Sequence, residues 1–261
     1  MMLAALHAAA QLAALTGGPP AWQQDAFWIS FWVGPQVALP ELDGRFAEIA
    51  EANFTGYLGF DGHSKSPYGP NATRVAKEIE LCDKHGLKCV PSLCGKHMGS
   101  VDSPCIGLGK DSPNFWGYQL LDEVGKFDEM AAWHSSLAAV RPAALNFFNL
   151  LGDTPFASTD IYSAYINAFV QTVKPNVVSM DFYPAFGPAS DAELAVEGTA
   201  AGGGLTAGTS RMPQSKDDYG QTLGVLRQQA ENAPGGPIPF WQQRPAIRFE
   251  SRNSLIAITA H

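Results

Sequence analysis

The sequence predicts an α/β fold of the (β/α)8 type, a TIM barrel with an incomplete or irregular C-terminal part. Apolar runs rich in β-branched and aromatic residues alternate with segments whose apolar residues recur at helical spacing. Six or seven such repeats fit in 261 residues, close to the ~250 typical of this barrel. No G-x-G-x-x-G or G-x-x-x-x-G-K-S/T pattern opens a helix, which disfavours an open, nucleotide-binding sheet.

The predicted elements alternate along the chain. The strands cover 27–33, 54–60, 87–94, 114–124, 143–152, 176–184 and 237–241, and the helices cover 41–53, 71–86, 126–140, 158–173 and 217–233. Asn71 is typical of a helix N-cap and Gly86 of a C-terminal stop. Strands that alternate with helices predict parallel βαβ units with right-handed crossovers.

The C-terminal part departs from the repeat. Only 25 residues remain from Pro237 onward, whereas a βαβ unit needs roughly 30 or more. A complete seventh helix, eighth strand and eighth helix are therefore not expected, and either the chain is truncated or its barrel closes irregularly.

The N-terminal segment 1–22 is predicted to be a signal peptide or an N-terminal extension, and the barrel domain to cover 23–261. The segment is apolar but carries no Lys or Arg before its apolar stretch, so an Ala-rich helix or an arbitrary start is the alternative. The triplets at Asn53 and Asn71 have the N-x-T pattern of N-glycosylation sites. Together these features predict a secreted glycoprotein.

Four cysteines lie within one quarter of the chain, at spacings that match no zinc motif. In an exported protein this predicts one or two local disulfides, with Cys94 and Cys105 the first expected pair because they bracket a predicted loop. Four reduced thiols are the alternative.

Charge and motifs exclude several function classes. A net charge of −8 and a pI near 5.2 give no attraction for nucleic acid or anionic lipid. No apolar window of ~20 residues follows the N-terminus, so no membrane span is expected.

Neither the metal-binding motif H-E-x-x-H nor the nucleophile motif G-x-S-x-G occurs, so no metal and no cofactor is predicted. The alternative, a metal-dependent hydrolase, would need at least three converging ligands. The oligomeric state stays open.

The run NFWGYQLLDEV (114–124) ends in two adjacent carboxylates, Asp122 and Glu123. In a (β/α)8 barrel the active site lies at the carboxyl ends of the strands and on the loops that follow them. Other polar residues are predicted at the same end: Asp61, His63, Cys94, His97, Asn146, Asn149, Asp181 and Tyr183. This convergence predicts the functional site.

The segments WGYQLLDEV, LNFFNLLG and SMDFYPAF resemble β-galactosidase-like and related glycoside hydrolases of the (β/α)8 type. The resemblance covers roughly residues 27 to 242, and its most specific part is Leu121-Asp122-Glu123. It implies that Glu123 is the general acid/base and that Asp122 binds sugar hydroxyls. Where these families usually place the second catalytic carboxylate, near the end of strand seven, this sequence reads PFWQQ.

Glycoside hydrolysis normally needs two carboxyl groups, separated by about 5–5.5 Å for retention or about 6.5–9.5 Å for inversion. Asp181 is the candidate for the second, as base or nucleophile, with hydrogen bonding to substrate or to a loop as its alternative role. For Glu123 the alternatives are sugar binding without catalysis and a structural ion pair. Trp116 and Tyr118 are candidates for raising the pKa of Glu123 by desolvation, although a regular strand places Glu123 on the other face.

Aromatic rings stack on the apolar faces of sugars, although most large aromatics lie in protein cores. The predicted substrate-binding residues are Asp122, Asn149, Tyr183, Trp32 and Trp241. The sequence thus predicts a hydrolase of glycosidic bonds acting on a carbohydrate. The alternative is a non-catalytic carbohydrate-binding protein, or an inactive barrel remnant that lacks the second carboxylate.

Overall fold

The computed structural model describes residues 21–32, 34–59, 69–94, 101–122, 125–153, 156–181, 216–245 and 256–260. For residues 181, 216–219, 242–245 and 256–260 the backbone alone is described. Within these ranges the fold is mixed α/β with parallel strands.

Strands and helices alternate in the order that the sequence predicts. The elements are β1 (Ile29–Phe31), a 3-10 turn (Leu39–Glu41), α1 (Leu42–Glu51), β2 (Gly56–Leu58), α2 (Ala72–His85), β3 (Lys88–Val90), β4 (Gly117–Asp122), α3 (Phe127–Val140), β5 (Leu145–Leu150), α4 (Thr159–Val173), β6 (Val178–Asp181), α5 (Lys216–Glu231), β7 (Phe240–Pro245) and β8 (Ile256–Ala260). The first seven described strands and the five described helices each overlap a predicted element.

The predicted boundaries of α2 are confirmed, and their chemistry is local. The Asn71 side chain accepts a hydrogen bond from the Arg74 amide at 3.0 Å, which satisfies one of the unpaired donors of the first turn. Gly86 ends the helix in the left-handed region, at φ 69°, which a residue without a Cβ adopts without strain. Ser158 caps α4 in the same way as Asn71 caps α2.

The sheet is parallel from β4 through β5 and β6 to β7. β8 lies antiparallel between β7 and β1, and β2 pairs in parallel with β3. Isolated bridges join Cys89 to Phe115 and Ser92 to Gln119, and the Thr55 amide donates to the Ile29 carbonyl at 2.9 Å. An eighth strand thus forms where none was expected, because an antiparallel neighbour needs no helical crossover.

Two groups of buried side chains lie on opposite faces of the strands. One lies between strands and helices and includes Phe46, Ile79, Tyr118, Phe148 and Phe169. The other is the aromatic cluster, defined here as Trp22, Trp28, Trp116, Phe147 and Trp241. Since Trp28 precedes β1 and Trp116 precedes β4, the cluster fills the amino-terminal half of its face.

The aromatic cluster is close-packed. The Trp28 ring stacks on Trp241 at 5.2 Å and on Trp116 at 5.1 Å between centroids. A Cβ added to Gly56 would lie 2.1 Å from Trp28, so this strand position requires glycine. Trp22 contacts Trp116 edge-on at 5.5 Å, and the folded domain therefore includes a residue that the predicted boundary had placed in the N-terminal segment.

A disulfide joins Cys94 to Cys105, which confirms the first predicted pair. Cys82 and Cys89 are buried free thiols, so one bridge forms among the described cysteines. No helix in the described ranges is both long and apolar enough to span a membrane.

Candidate functional site

A row of hydrogen-bonded polar side chains, the polar row, crosses three neighbouring strands: Asp122, Asn149 and Ser179. Asn149 Nδ2 donates to Asp122 Oδ1 at 2.9 Å, and Ser179 Oγ donates to Asn149 Oδ1 at 3.1 Å. The strand register places Asn149 beside both Asp122 and Ser179. The row lies toward the carboxyl ends of β4, β5 and β6, on the same face as the aromatic cluster.

A β-bulge brings Asp122 into the polar row. In a regular strand Asp122 would share a face with Tyr118 and Leu120, both of which pack on the helix side. The β4–β5 register shifts between Gln119 and Leu121, so that one extra residue separates the two halves of β4. The shift turns Asp122 to the face of Asn149, as bulges commonly re-aim a side chain near a site.

Trp116 and Tyr118, the two aromatics considered for desolvating Glu123, have different surroundings. Trp116 belongs to the aromatic cluster near the amino ends, where its Nε1 donates to Asp25 at 2.9 Å. The Tyr118 hydroxyl donates to the Ile106 carbonyl at 2.8 Å on the opposite face, and burial raises its pKa to about 12. Trp116 therefore lies toward the other end of its strand from Asp122, and Tyr118 lies on the other face. Glu123 is outside the described residues, so an effect of these rings on its pKa stays a prediction.

A second polar pair lies on the face of the polar row. Ser92 Oγ donates to Gln119 Oε1 at 3.3 Å, and both side chains are buried. The pairing of Ser92 with Gln119 links the end of β3 to the middle of β4. The polar lining therefore extends from β3 to β6.

The geometry fixes the orientation of the Asn149 amide. Its NH2 group donates to the Asp122 carboxylate, which has no proton to donate when it is ionised. Its oxygen therefore faces Ser179 and accepts from the Ser179 hydroxyl. Asn149 is 0% exposed, whereas Asp122 is half-buried. The arrangement holds a carboxylate at the border between core and solvent, where it can accept hydrogen bonds from the hydroxyl groups of a ligand.

Asn146, the other asparagine of β5, does not belong to the site. Its side chain lies against α3, where Nδ2 approaches His134 Nδ1 at 3.3 Å. The two asparagines are three positions apart, and three is an odd number, so a strand directs them to opposite faces.

The two predicted tryptophans have different surroundings. Trp241 is 0% exposed, packs between Trp28 and Phe147, and donates from Nε1 to Gln24 Oε1 at 3.1 Å. Both of its ring faces are covered by protein, so they are not available to stack on a sugar. Trp32 is partly exposed and follows β1 at the same end of the sheet as the polar row.

Several predicted site residues lie outside the described residues. These are Glu123, Tyr183, Asp61, His63 and His97. The backbone of Asp181 is described: it lies two residues beyond Ser179 at the end of β6 and pairs with Gln243 of β7. In the described part of the chain, no group of three His, Cys, Asp or Glu residues is placed to hold a metal ion.

Ser179 and Gln119 were not singled out in the sequence. Each is a polar residue with apolar neighbours on at least one side, and Ser179 shares the strand parity of Asp181, two positions later. That signal alone is weak, because a buried serine is common in cores. It becomes specific only when the register shows Ser179 beside Asn149.

Comparison with known proteins adds little to this geometry. No protein-family model matches the chain, and no curated protein matches it. Among solved structures it is similar to a Bacteroides thetaiotaomicron protein described as a "putative alpha-L-fucosidase", at 13% identity over 74% of this chain and 79% of the other, with a TM-score of 0.43. A likeness of this size carries no conclusion about function.

Proposed function

We propose that the chain is a glycoside hydrolase whose site lies at the carboxyl ends of its strands, with Glu123 as the general acid/base. The observation that carries the proposal is the polar row. It places an oriented carboxylate, Asp122, at the end of a parallel strand, and Glu123 is the next residue in the chain. Active sites of parallel α/β folds lie at this end of the sheet.

The fold we propose is an irregular member of the (β/α)8 class. Pairings follow one another from β4 through β5, β6, β7 and β8 to β1, and β2 pairs with β3. Isolated bridges and backbone hydrogen bonds connect β3 to β4, and a backbone hydrogen bond connects β1 to the start of β2. An antiparallel β8 in place of the last βαβ unit would close the ring. The aromatic cluster would then fill the barrel interior beneath the polar lining.

The proposed roles follow from position and chemistry. Glu123 protonates the oxygen of the leaving sugar, and Asp122, held by Asn149, accepts hydrogen bonds from hydroxyls of the sugar bound next to it. Asp181 is the proposed second carboxylate, because it is two residues beyond Ser179 on the strand that flanks β5. Trp32 and Tyr183 are proposed to bind the sugar through their rings.

A second function is favoured by one observation at β7. The residue that pairs with Asp181 is Gln243, so β7 offers an amide at the end where the resemblance implies a carboxylate. If Asp181 serves only to form hydrogen bonds, the site has one catalytic carboxyl group. It would then bind a carbohydrate without cleaving it, since hydrolysis needs two carboxyl groups.

We also propose that the protein is exported. The support is the Cys94–Cys105 bridge, because disulfides persist in oxidising compartments and are rare in the reducing cytosol. An intact-mass measurement on protein from the host, alkylated without prior reduction, tests whether this bridge forms in the cell.

The function is tested with a panel of aryl glycosides, comparing the unmodified protein with Glu123→Gln. We expect turnover of at least one sugar, and a fall of about 10²–10⁴-fold in the variant, the usual contribution of general acid–base catalysis. Glu129→Gln is the matched control: Glu129 is 52% exposed on α3, pairs with Lys126, and should leave turnover unchanged.

The outcomes separate the two functions. No turnover by folded protein that still binds oligosaccharides, measured by calorimetry, would support the binding protein instead. Equal turnover by Glu123→Gln and the unmodified protein would remove Glu123 from the mechanism.

A further inference from the structure

We propose that Asn53 is an N-glycosylation acceptor and that its glycan lies at the end of the molecule opposite the polar row. Nothing in the proposed hydrolase function uses this residue. The sequon is Asn53-Phe54-Thr55, whose middle residue is not proline, as the modification requires.

The place of Asn53 in the fold suits a bulky substituent. It lies in the turn between α1 and β2, and Glu51, Ala52 and Asn53 are all exposed. Asn53 is in the left-handed region at φ 61°, a conformation that asparagine tolerates better than most residues. Its amide side chain therefore lies at a solvent-facing turn that does not depend on side-chain packing.

The turn lies at the amino ends of the strands. Helix α1 leaves from the carboxyl end of β1 and returns the chain to the start of β2, so the α1–β2 turn is at the far end of the sheet from Asp122. A glycan on Asn53 would not obstruct a ligand at the polar row. Asn71, the second sequon, precedes α2 at the carboxyl-end side, and its Oδ1 caps the Arg74 amide at 3.0 Å.

The contacts of Thr55 indicate that the glycan is transferred to Asn53 before the chain folds. In the folded chain the Thr55 hydroxyl accepts from the Ile29 amide at 2.7 Å and donates to the Phe27 carbonyl at 2.7 Å. Both contacts form only when β2 has joined β1. A transferase that reads the sequon hydroxyl must therefore act before these strands pair, which places the modification during export of the nascent chain.

The transfer itself needs a co-reactant, an oligosaccharide carried on a lipid diphosphate. The Asn53 Nδ2 forms a bond to the anomeric carbon of the oligosaccharide, and the bond from that carbon to the diphosphate oxygen breaks. The lipid diphosphate leaves with the electron pair, and the amide nitrogen loses one proton to a base of the transferase. No oxidant or reductant is required.

The test is expression of the full chain in a eukaryotic secretory host, followed by intact-mass analysis before and after a peptide-N-glycosidase. Asn53→Gly and Asn53→Asp both tolerate a positive φ and remove the acceptor, so a folding defect does not explain a lost glycan. Asn71→Asp removes the other acceptor and keeps a good N-cap. We expect the Asn53 variants to carry one glycan fewer than the unmodified protein.

Three results would overturn the proposal: the chain is not exported, the exported chain carries no glycan, or both Asn53 variants keep every glycan. The readout is mass and does not depend on hydrolysis, so failure of the hydrolase proposal leaves it intact. The aryl glycoside turnover of Asn53→Gly should equal that of the unmodified protein.

Discussion

Replacing Asn149 with alanine should destabilise the protein far more than the same change at Asn146. Asn149→Ala removes a hydrogen bond to a carboxylate, worth about 1.5–3 kcal/mol, and one to a neutral hydroxyl, worth about 0.5–1.5 kcal/mol. We expect a loss of about 3 kcal/mol in the free energy of unfolding, the middle of that range. Because Asn149 is 0% exposed, water does not replace the lost partners.

Asn146→Ala is the matched control, because it is the same residue type on the same strand and is also buried. Its Nδ2 makes a longer, neutral contact with His134, at 3.3 Å, so we expect a loss of about 1 kcal/mol. Urea unfolding followed by fluorescence measures both values. The Tm should fall by about 6–12 °C for Asn149→Ala, at about 2–4 °C per kcal/mol for a chain of this size.

The two variants should also differ in turnover and ligand binding, independently of their stability. Of the two asparagines, Asn149 is the one bonded to Asp122. Turnover or oligosaccharide affinity measured well below the Tm should therefore fall in Asn149→Ala and not in Asn146→Ala, by about tenfold for each 1.4 kcal/mol of lost interaction. Equal losses of stability in the two variants, or an Asn149→Ala protein with unchanged ligand binding, would refute the role of the polar row.

Three further changes test the scaffold. Arg74→Ala should cost about 3–5 kcal/mol in urea unfolding, because Arg74 donates to buried Glu78 at 2.9 Å and its loss leaves that carboxylate unpaired. Cys94→Ser with Cys105→Ser should cost about 3 kcal/mol, the closure entropy of so short a loop, and should abolish the effect of reductant on the Tm. Burial lowers the pKa of His134 below 6.5, so the unfolded chain binds more protons below that pH and the free energy of unfolding should fall on acidification; His134→Gln should remove this part of the pH dependence.

Each of these has a control or a contrary outcome. Arg45→Ala removes an exposed ion pair with Glu48 and should cost under about 1 kcal/mol; a similar cost at Arg74 would contradict the buried pairing. A reductant effect that persists in the cysteine variant would point to another bridge. If His134→Gln keeps the full acid sensitivity of the unmodified protein, the loss of stability on acidification comes from other groups.

Much of the fold was predictable because its determinants are local. Helical periodicity, the Asn71 cap and the Gly86 stop act within a few residues, and the structure has the helix where they predict it. The Cys94–Cys105 bridge was predictable from a short loop between two cysteines. The placement of Asp122 at a strand end required only the alternation of strands and helices.

The sequence by itself determined the order of the first seven strands and the helices between them, the ends of α2, and which end of the sheet collects polar residues. Only the tertiary structure decided which polar side chains meet. The bulge in β4 depends on its register with β5, so strand parity read from the sequence placed Asp122 with the wrong neighbours. The burial of Trp241 and the antiparallel pairing of β8 also depend on strands that are distant in sequence. Local sequence patterns do not predict such contacts.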